Sequence, residues 1–200
     1  MKKRPLIVFT LLLCVILSGC KTRYPSAAAD GAPWDESWDM LGSVLGVEEP
    51  GHGFTLLDNN AILTADDTYL ATWASGESTA YVNADGDDTE LYEAEIYLLL
   101  FGCKDAGNAR AAVADWIARE SDTYTVTETR TETYNGQAYT VLVYECGSDT
   151  NPYSRGVSAF GVFENYAVSA ELACLEEYSG DEAAILADFL TGCHYSADAK

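Results

Sequence analysis

Cysteine, histidine, serine and tyrosine are the side chains of this 200-residue sequence whose spacing bears on chemistry. Cys103, Cys146, Cys174 and Cys193 are even in number and contain no CxxC pair. With only His52 and His194 to join them, their spacing favours two disulfides over a zinc site. Ser158 lies in Gly156-Val157-Ser158-Ala159-Phe160-Gly161, where a nucleophile elbow would need glycine in place of Phe160. Ser158 also falls on a predicted strand. His194 follows a predicted helix, where a cationic side chain complements the dipole. His52 sits between Gly51 and Gly53 in an expected loop, with no partner that the sequence names.

Acids and tyrosines are more abundant. The run Asn83 to Glu90 holds Asp85, Asp87, Asp88 and Glu90, oxygen ligands of the kind Ca²⁺ takes. Placing Asp85-Gly86 at the fifth and sixth positions of an EF-hand loop puts Tyr81 and Tyr92 where acids are required. A solvated turn is the default, these four acids are a weak calcium candidate, and no cofactor is expected. Glycoside hydrolysis needs two carboxyls about 5 to 9.5 Å apart in a cleft. Among 32 acids some pair meets that by chance, so the pattern names no catalytic residue. Thirteen tyrosines are the more unusual feature, and Tyr134, Tyr153 and Tyr166 are candidates for stacking on sugars or peptides.

The elements that must position these residues read as follows. Trp34, Trp38, Leu41 and Leu45 recur at helical spacing, with Gly46 as a stop, predicting a short amphipathic helix. Strands are predicted over 54–63, 68–74 and 90–102, with a polar stretch from Ser75 to Asp88. A helix follows over 104–120, with Ala109, Ala112, Val113, Trp116 and Ile117 on one face. Tyr124 to Tyr134 alternates, and Asn135-Gly136 is the strongest hairpin signal in the chain. Strands over 138–146, 157–163 and 166–174 complete a meander, and a last helix spans 181–191. The segments YLLLFGC and VSAELAC each end a strand in cysteine and lead to a helix containing Ala-Asp-aromatic-aliphatic.

The expected architecture is α+β: a twisted, largely antiparallel sheet with two main helices packed on one face, plus the short N-terminal helix. If direction reverses at each tight connection, Cys103 and Cys193 fall at one end of the sheet and Cys146 and Cys174 at the other. The expected disulfides are therefore Cys103–Cys193 and Cys146–Cys174. The closing pattern, a hairpin at Asn165-Tyr166, a strand and a helix with Ile185, Leu186 and Phe189, resembles the Mog1/PsbP-like group. That resemblance covers roughly residues 123–195, implies partner binding more than catalysis, and carries no catalytic residue over.

The N-terminus has its own logic. Lys2, Lys3 and Arg4 precede an apolar core from Leu6 to Leu17, too short to span a bilayer as a permanent helix. Leu17-Ser18-Gly19-Cys20 resembles the lipobox of bacterial lipoproteins. The resemblance implies cleavage before Cys20 and attachment of a diacylglyceryl group to its sulfur, with several acyl chains giving stable anchoring. The expected organisation is a signal peptide over 1–19, a lipidated Cys20 and tether over 20–33, and one α+β domain over 34–200.

Removing Lys2, Lys3 and Arg4 from the eleven basic residues leaves eight against 32 acids, a net charge of −24. Charge of that sign repels phosphate backbones and excludes nucleic acid as a partner class. The sequence thus points to an exported protein held by lipid on the outer face of the bacterial cytoplasmic membrane, or on an outer membrane where the host has one. There it is expected to bind an envelope or extracellular protein or glycan without catalysing a reaction. The alternative is an extracellular hydrolase using carboxylates on a polysaccharide or peptide.

Overall fold

Two tight hairpins organise the larger half of the molecule. Asn135 (φ 46°) and Gly136 (φ 82°) both take positive φ, as a two-residue turn between right-twisted strands requires. Glu164 (φ 50°) opens the second turn. The structure, a computed structural model, describes residues 45–57, 62–63, 69–82, 86, 88–147 and 151–195.

In chain order the described elements are β1 (Leu45–Val47), β2 (Phe54–Leu56), β3 (Ile62–Leu63), β4 (Tyr69–Ser75), β5 (Thr79–Val82), β6 (Asp88–Leu91) and β7 (Ala94–Gly102). They continue with α1 (Ala106–Thr123), β8 (Thr125–Tyr134), β9 (Gln137–Glu145), β10 (Arg155–Phe163), β11 (Tyr166–Cys174), α2 (Glu182–Thr191) and β12 (Cys193–Tyr195). The main sheet has the order β2-β4-β7-β11-β10-β9-β8, with β3 also on β4, and every pairing in it is antiparallel. After β7 the chain crosses through α1 to the far edge and meanders back until β11 seats against β7. Two small sheets, β1-β12 and β5-β6, stand apart.

The α+β class and the antiparallel sheet agree with expectation; the placement of the helices does not. Residues opposite one another across antiparallel strands share a face, and successive residues alternate. Trp73, Ile96, Leu172, Val157 and Val143 therefore share one face, and Phe189 of α2 meets Trp73 there at 5.0 Å. Leu99, Phe101 and Phe160 belong to the other face, where Trp116 of α1 lies 6.2 Å from Phe101 and 6.5 Å from Phe160. The two helices cover opposite faces. The reason is legible in the strands: β10 and β11 are buried along nearly their whole length, as in strands covered on both sides.

The α2 face is the apolar core. Trp73, Ile96, Leu98, Leu100, Leu172, Leu186, Phe189 and Leu190 are each at most 2% exposed, and side chains of that size contribute about 1.5–3 kcal/mol each on burial. Asp105 caps α1 by accepting from Asn108 N at 2.9 Å, and Asp181 caps α2 by accepting from Ala184 N at 3.0 Å.

Several smaller expectations are corrected. Leu45 and Gly46 lie in β1, not at a helix end, and Trp34, Trp38 and Leu41 fall outside the described residues. The polar stretch after Ser75 contains β5, and the strand expected over 90–102 is broken at Tyr92-Glu93 into β6 and β7. In β8 a register shift between Val126 and Glu128 interrupts the alternation, so Val126 sits opposite Tyr144 but Glu128 opposite Val143.

The disulfides are corrected as well, since Cys103, Cys146, Cys174 and Cys193 are all free thiols. Their grouping at two ends of the sheet holds: Cys103 N bonds Asn165 O at one hairpin tip, and Cys193 O accepts from Asn135 at the other. Sharing an end is not enough. Cys193 belongs to the α2-face core, whereas Cys103 follows Phe101 on the α1 face. Cys146 and Cys174 flank β10 on either side, since Glu145 and Cys174 both pair with Arg155. Two strand spacings put their backbones roughly 10 Å apart, beyond the reach of a disulfide.

Candidate functional site

The α1 face carries a buried polar cluster that composition alone reads as surface charge. Glu95 on β7 is 8% exposed and Glu171 on β11 is 5% exposed. Tyr97 and Ser158 are the cross-strand neighbours of Glu171. Tyr97 donates its hydroxyl to Glu95, and Tyr144 donates to Glu171. Tyr144 reaches that carboxyl by crossing Gly156, where a Cβ would collide with its hydroxyl and lie 2.5 Å from Leu172 O. Tyr124 stacks on Tyr144 at 4.5 Å with ring planes 12° apart. From above, α1 brings Glu120. Among the described residues no well-formed hydrogen bond reaches Glu120 Oε1 or the fully buried Ser158 Oγ, although the two side chains face one another.

Burial dominates the electrostatics here. It raises Glu95 and Glu171 to about 7 each, even though Tyr153 and Tyr144, respectively, lend a stabilising hydrogen bond. Burial, followed by the charge of Glu171, lifts Glu120 well above the usual carboxylate range. The Cys146 thiol is pushed up to about 12 by burial and then by Glu171 and Glu120. A thiol held protonated is a poor nucleophile. The arrangement can hold protons: Glu120 and Glu171 meet between helix and sheet, and Glu95 is buried beside Tyr153.

A groove lies at the other end. Asn135, Gly136, Gln137, Phe163, His194 and Tyr195 line a groove of about 320 Å³ between the two hairpin tips and β12. Asn135 Nδ2 donates to Cys193 O at 2.8 Å and lies 2.6 Å from His194 Nδ1. Gln137 Nε2 donates to Val162 O at 2.9 Å. Tyr195 and Tyr139 share a hydroxyl contact of 2.6 Å, and the Tyr195 ring lies 4.7 Å from Phe163. Backbone pairing of β1 with β12 fixes His194 and Tyr195 opposite Gly46 and Leu45.

The residues singled out in the sequence scatter over this frame. Cys20 lies outside the described residues. Tyr134 and Tyr166 are half-buried beside the α2-face core near the groove; Tyr134 donates to Glu132 and its ring lies 5.9 Å from Tyr139. Tyr153 is at the opposite end, buried against Glu95, so the three tyrosines do not form one surface. Asp85 and Asp87 lie outside the described residues; Asp88 and Glu90 are exposed on β6, and Glu90 accepts from Tyr92 at 2.9 Å. Among the described residues no group of three or more His, Cys, Asp or Glu side chains could hold a metal ion. His52 Nε2 contacts Asp188 at 3.0 Å on the surface. The sequence reading missed Glu95, Glu120 and Glu171. The available signal was a single glutamate inside strands otherwise apolar on both faces, as in Ala94-Glu95-Ile96 and Ala170-Glu171-Leu172.

No family model matches this chain, and no curated protein matches it. Among solved structures, the solution structure of cyanobacterial PsbP (CyanoP) from Synechocystis sp. PCC 6803 aligns with 64% of this chain and 86% of its own, at 11% identity and a TM-score of 0.37. The likeness is distant. A crystal structure from Bacteroides thetaiotaomicron VPI-5482 aligns with 70% of this chain at 8% identity and a TM-score of 0.36, and the match takes in only 50% of that chain.

Proposed function

We propose that this chain is a lipid-anchored, extracytoplasmic binding module whose contact surface is the groove between the hairpin tips. The observation that carries the reading is a division of labour. Glu120 and Glu171, whose proton affinity is raised, meet between α1 and the sheet, and Glu95 is buried beside Tyr153, while amide, imidazole and aromatic groups line the groove. Amides and a flat ring suit hydroxyl-rich or peptide ligands without net negative charge, and a chain with 32 acids repels anions. Cys20, with Leu17, Ser18 and Gly19 before it, supports the anchor.

Two measurements test this. Cells fed an alkyne-tagged palmitate should label the wild-type protein and leave Cys20→Ser unlabelled; equal labelling would remove the anchor from the proposal. NMR titration with envelope-derived oligosaccharides and peptides should shift Asn135, Gln137, His194 and Tyr195, and Asn135→Ala/His194→Ala should weaken the response about tenfold, a loss of about 1.4 kcal/mol. Turnover of such a ligand, abolished by Glu171→Gln, would instead establish the hydrolase.

A further inference from the structure

Glu120 of α1 and Glu171 of β11 face one another between helix and sheet, and among the described residues no positive charge acts on either. Around Glu120, β11 contributes Glu171, β9 and its end contribute Tyr144 and Cys146, β10 contributes Ser158, and Tyr124 follows the helix. Around Glu171 lie Tyr144, Tyr97 and, further along β7, Glu95 with Tyr153 beside it. Every titratable group in that set is a carboxyl, phenol or thiol. Of the cations nearest in sequence, Arg110 is exposed on α1, and the others are engaged elsewhere: Arg119 with Asp115 at 2.7 Å, Arg130 with Glu128 and Glu132, and Arg155 with Glu182 on the α2 side.

Two carboxylates cannot both ionise in a buried site without a counter-charge. We propose that protons latch the C-terminal half of α1 to the sheet: Glu120 and Glu171 dock only while at least one of them is a neutral acid, and losing that proton to water releases the helix end and the start of β8. The geometry makes this end the weaker joint. Only Ala109 of α1 is fully buried, whereas α2 buries Ile185, Leu186, Phe189 and Leu190. Tyr124 N bonds Glu120 O at 2.9 Å, so a shift of Glu120 carries the Tyr124–Tyr144 stack with it. The irregular register at Thr127 lies just beyond and offers little resistance. Release uncovers Tyr144 and Ser158, and with them the Cys146 thiol, making this a pH-gated exposure of one sheet face. Burial raises both carboxyls, Glu171 to about 7.

Amide hydrogen exchange on the full chain at pH 5, 6, 7 and 8, corrected for intrinsic exchange, tests the latch. Amides of residues 116–123 should lose protection by on the order of a hundredfold across that range, while residues 182–191 change little. Glu120→Gln should flatten the response of 116–123. An equal response in both helices, or an unchanged slope in Glu120→Gln, would overturn the proposal. Should that variant not fold, ¹³C titration of the wild-type side chains decides: a midpoint for the Glu120–Glu171 pair above about pH 5.5 supports the latch, and one at or below it overturns the latch.

Discussion

The two faces of the central sheet are built from alternate residues of the same strands, yet they use burial in opposite ways. On the α2 face, Ile96, Leu98, Leu100 and Leu172 meet four large apolar side chains of α2, and the contacts stabilise at any pH. On the α1 face, the intervening positions hold Glu95, Tyr97 and Glu171, and a helix with one fully buried residue packs on β10 and β11. Burial on the first side yields stability; on the second it turns proton concentration into a variable of the fold. Interdigitated sequence positions thus give one sheet an inert side and a responsive side.

The largest effect that could break this contrast is on the inert side. Phe189→Ala removes the ring packed on Trp73 and should cost about 3–5 kcal/mol, equally at pH 5 and pH 8, by urea denaturation. A marked pH dependence of that loss would erase the distinction.

The next effect belongs to the responsive side. Glu171 has a folded value of about 7 against a reference of 4.5. It therefore binds its proton more tightly in the folded state. Its contribution is complete below about pH 4.5 and is lost as pH rises through about 7. The size is on the order of 3 kcal/mol for one carboxyl. Urea midpoints should fall over that window, and Glu171→Gln should remove that one carboxyl's share of the fall while Glu95 and Glu120 keep theirs. Stability that rises with pH instead would show that these carboxyls are ionised in the fold.

Gly156→Ala sharpens the comparison further. A methyl group there displaces Tyr144 from its path to Glu171 and presses on Leu172 O. Overpacking of this kind costs about 1–3 kcal/mol. The smallest expected change is in the caps: Asp105→Ala and Asp181→Ala should each cost about 1 kcal/mol. Exchange should rise throughout α1 in the first variant and only in the first turn of α2 in the second, because α2 is held by its core contacts.

What the sequence made legible was governed by neighbours close along the chain. Asn135-Gly136 announces its hairpin because the turn geometry depends on those two residues alone, and the helices over 104–120 and 181–191 announce themselves through apolar residues three and four apart. The face each helix takes is not local. It depends on β7, β10 and β11 being covered on both sides, and the apolar runs in β10 and β11 are the trace of that. Glu95 and Glu171 look like any other acids in a chain with 32 of them until α1 is laid across the strands. The cysteines fail as a guide for a related reason: topology places pairs at the right ends, but alternation and one intervening strand decide whether sulfurs meet.

The short ladder between β1 and β12 has a mechanical meaning. Only three residue pairs join them, with Glu48 N bonding Gly192 O just beyond. A pull applied at Leu45 peels this ladder rung by rung, starting at Tyr195, before it loads any strand of the eight-stranded sheet. What it strips away is the backing of the groove's wall, since His194 and Tyr195 keep their contacts with Asn135, Tyr139 and Phe163. Under tension β1 would come away while the core stayed folded, and on relaxation it could re-form on an intact template.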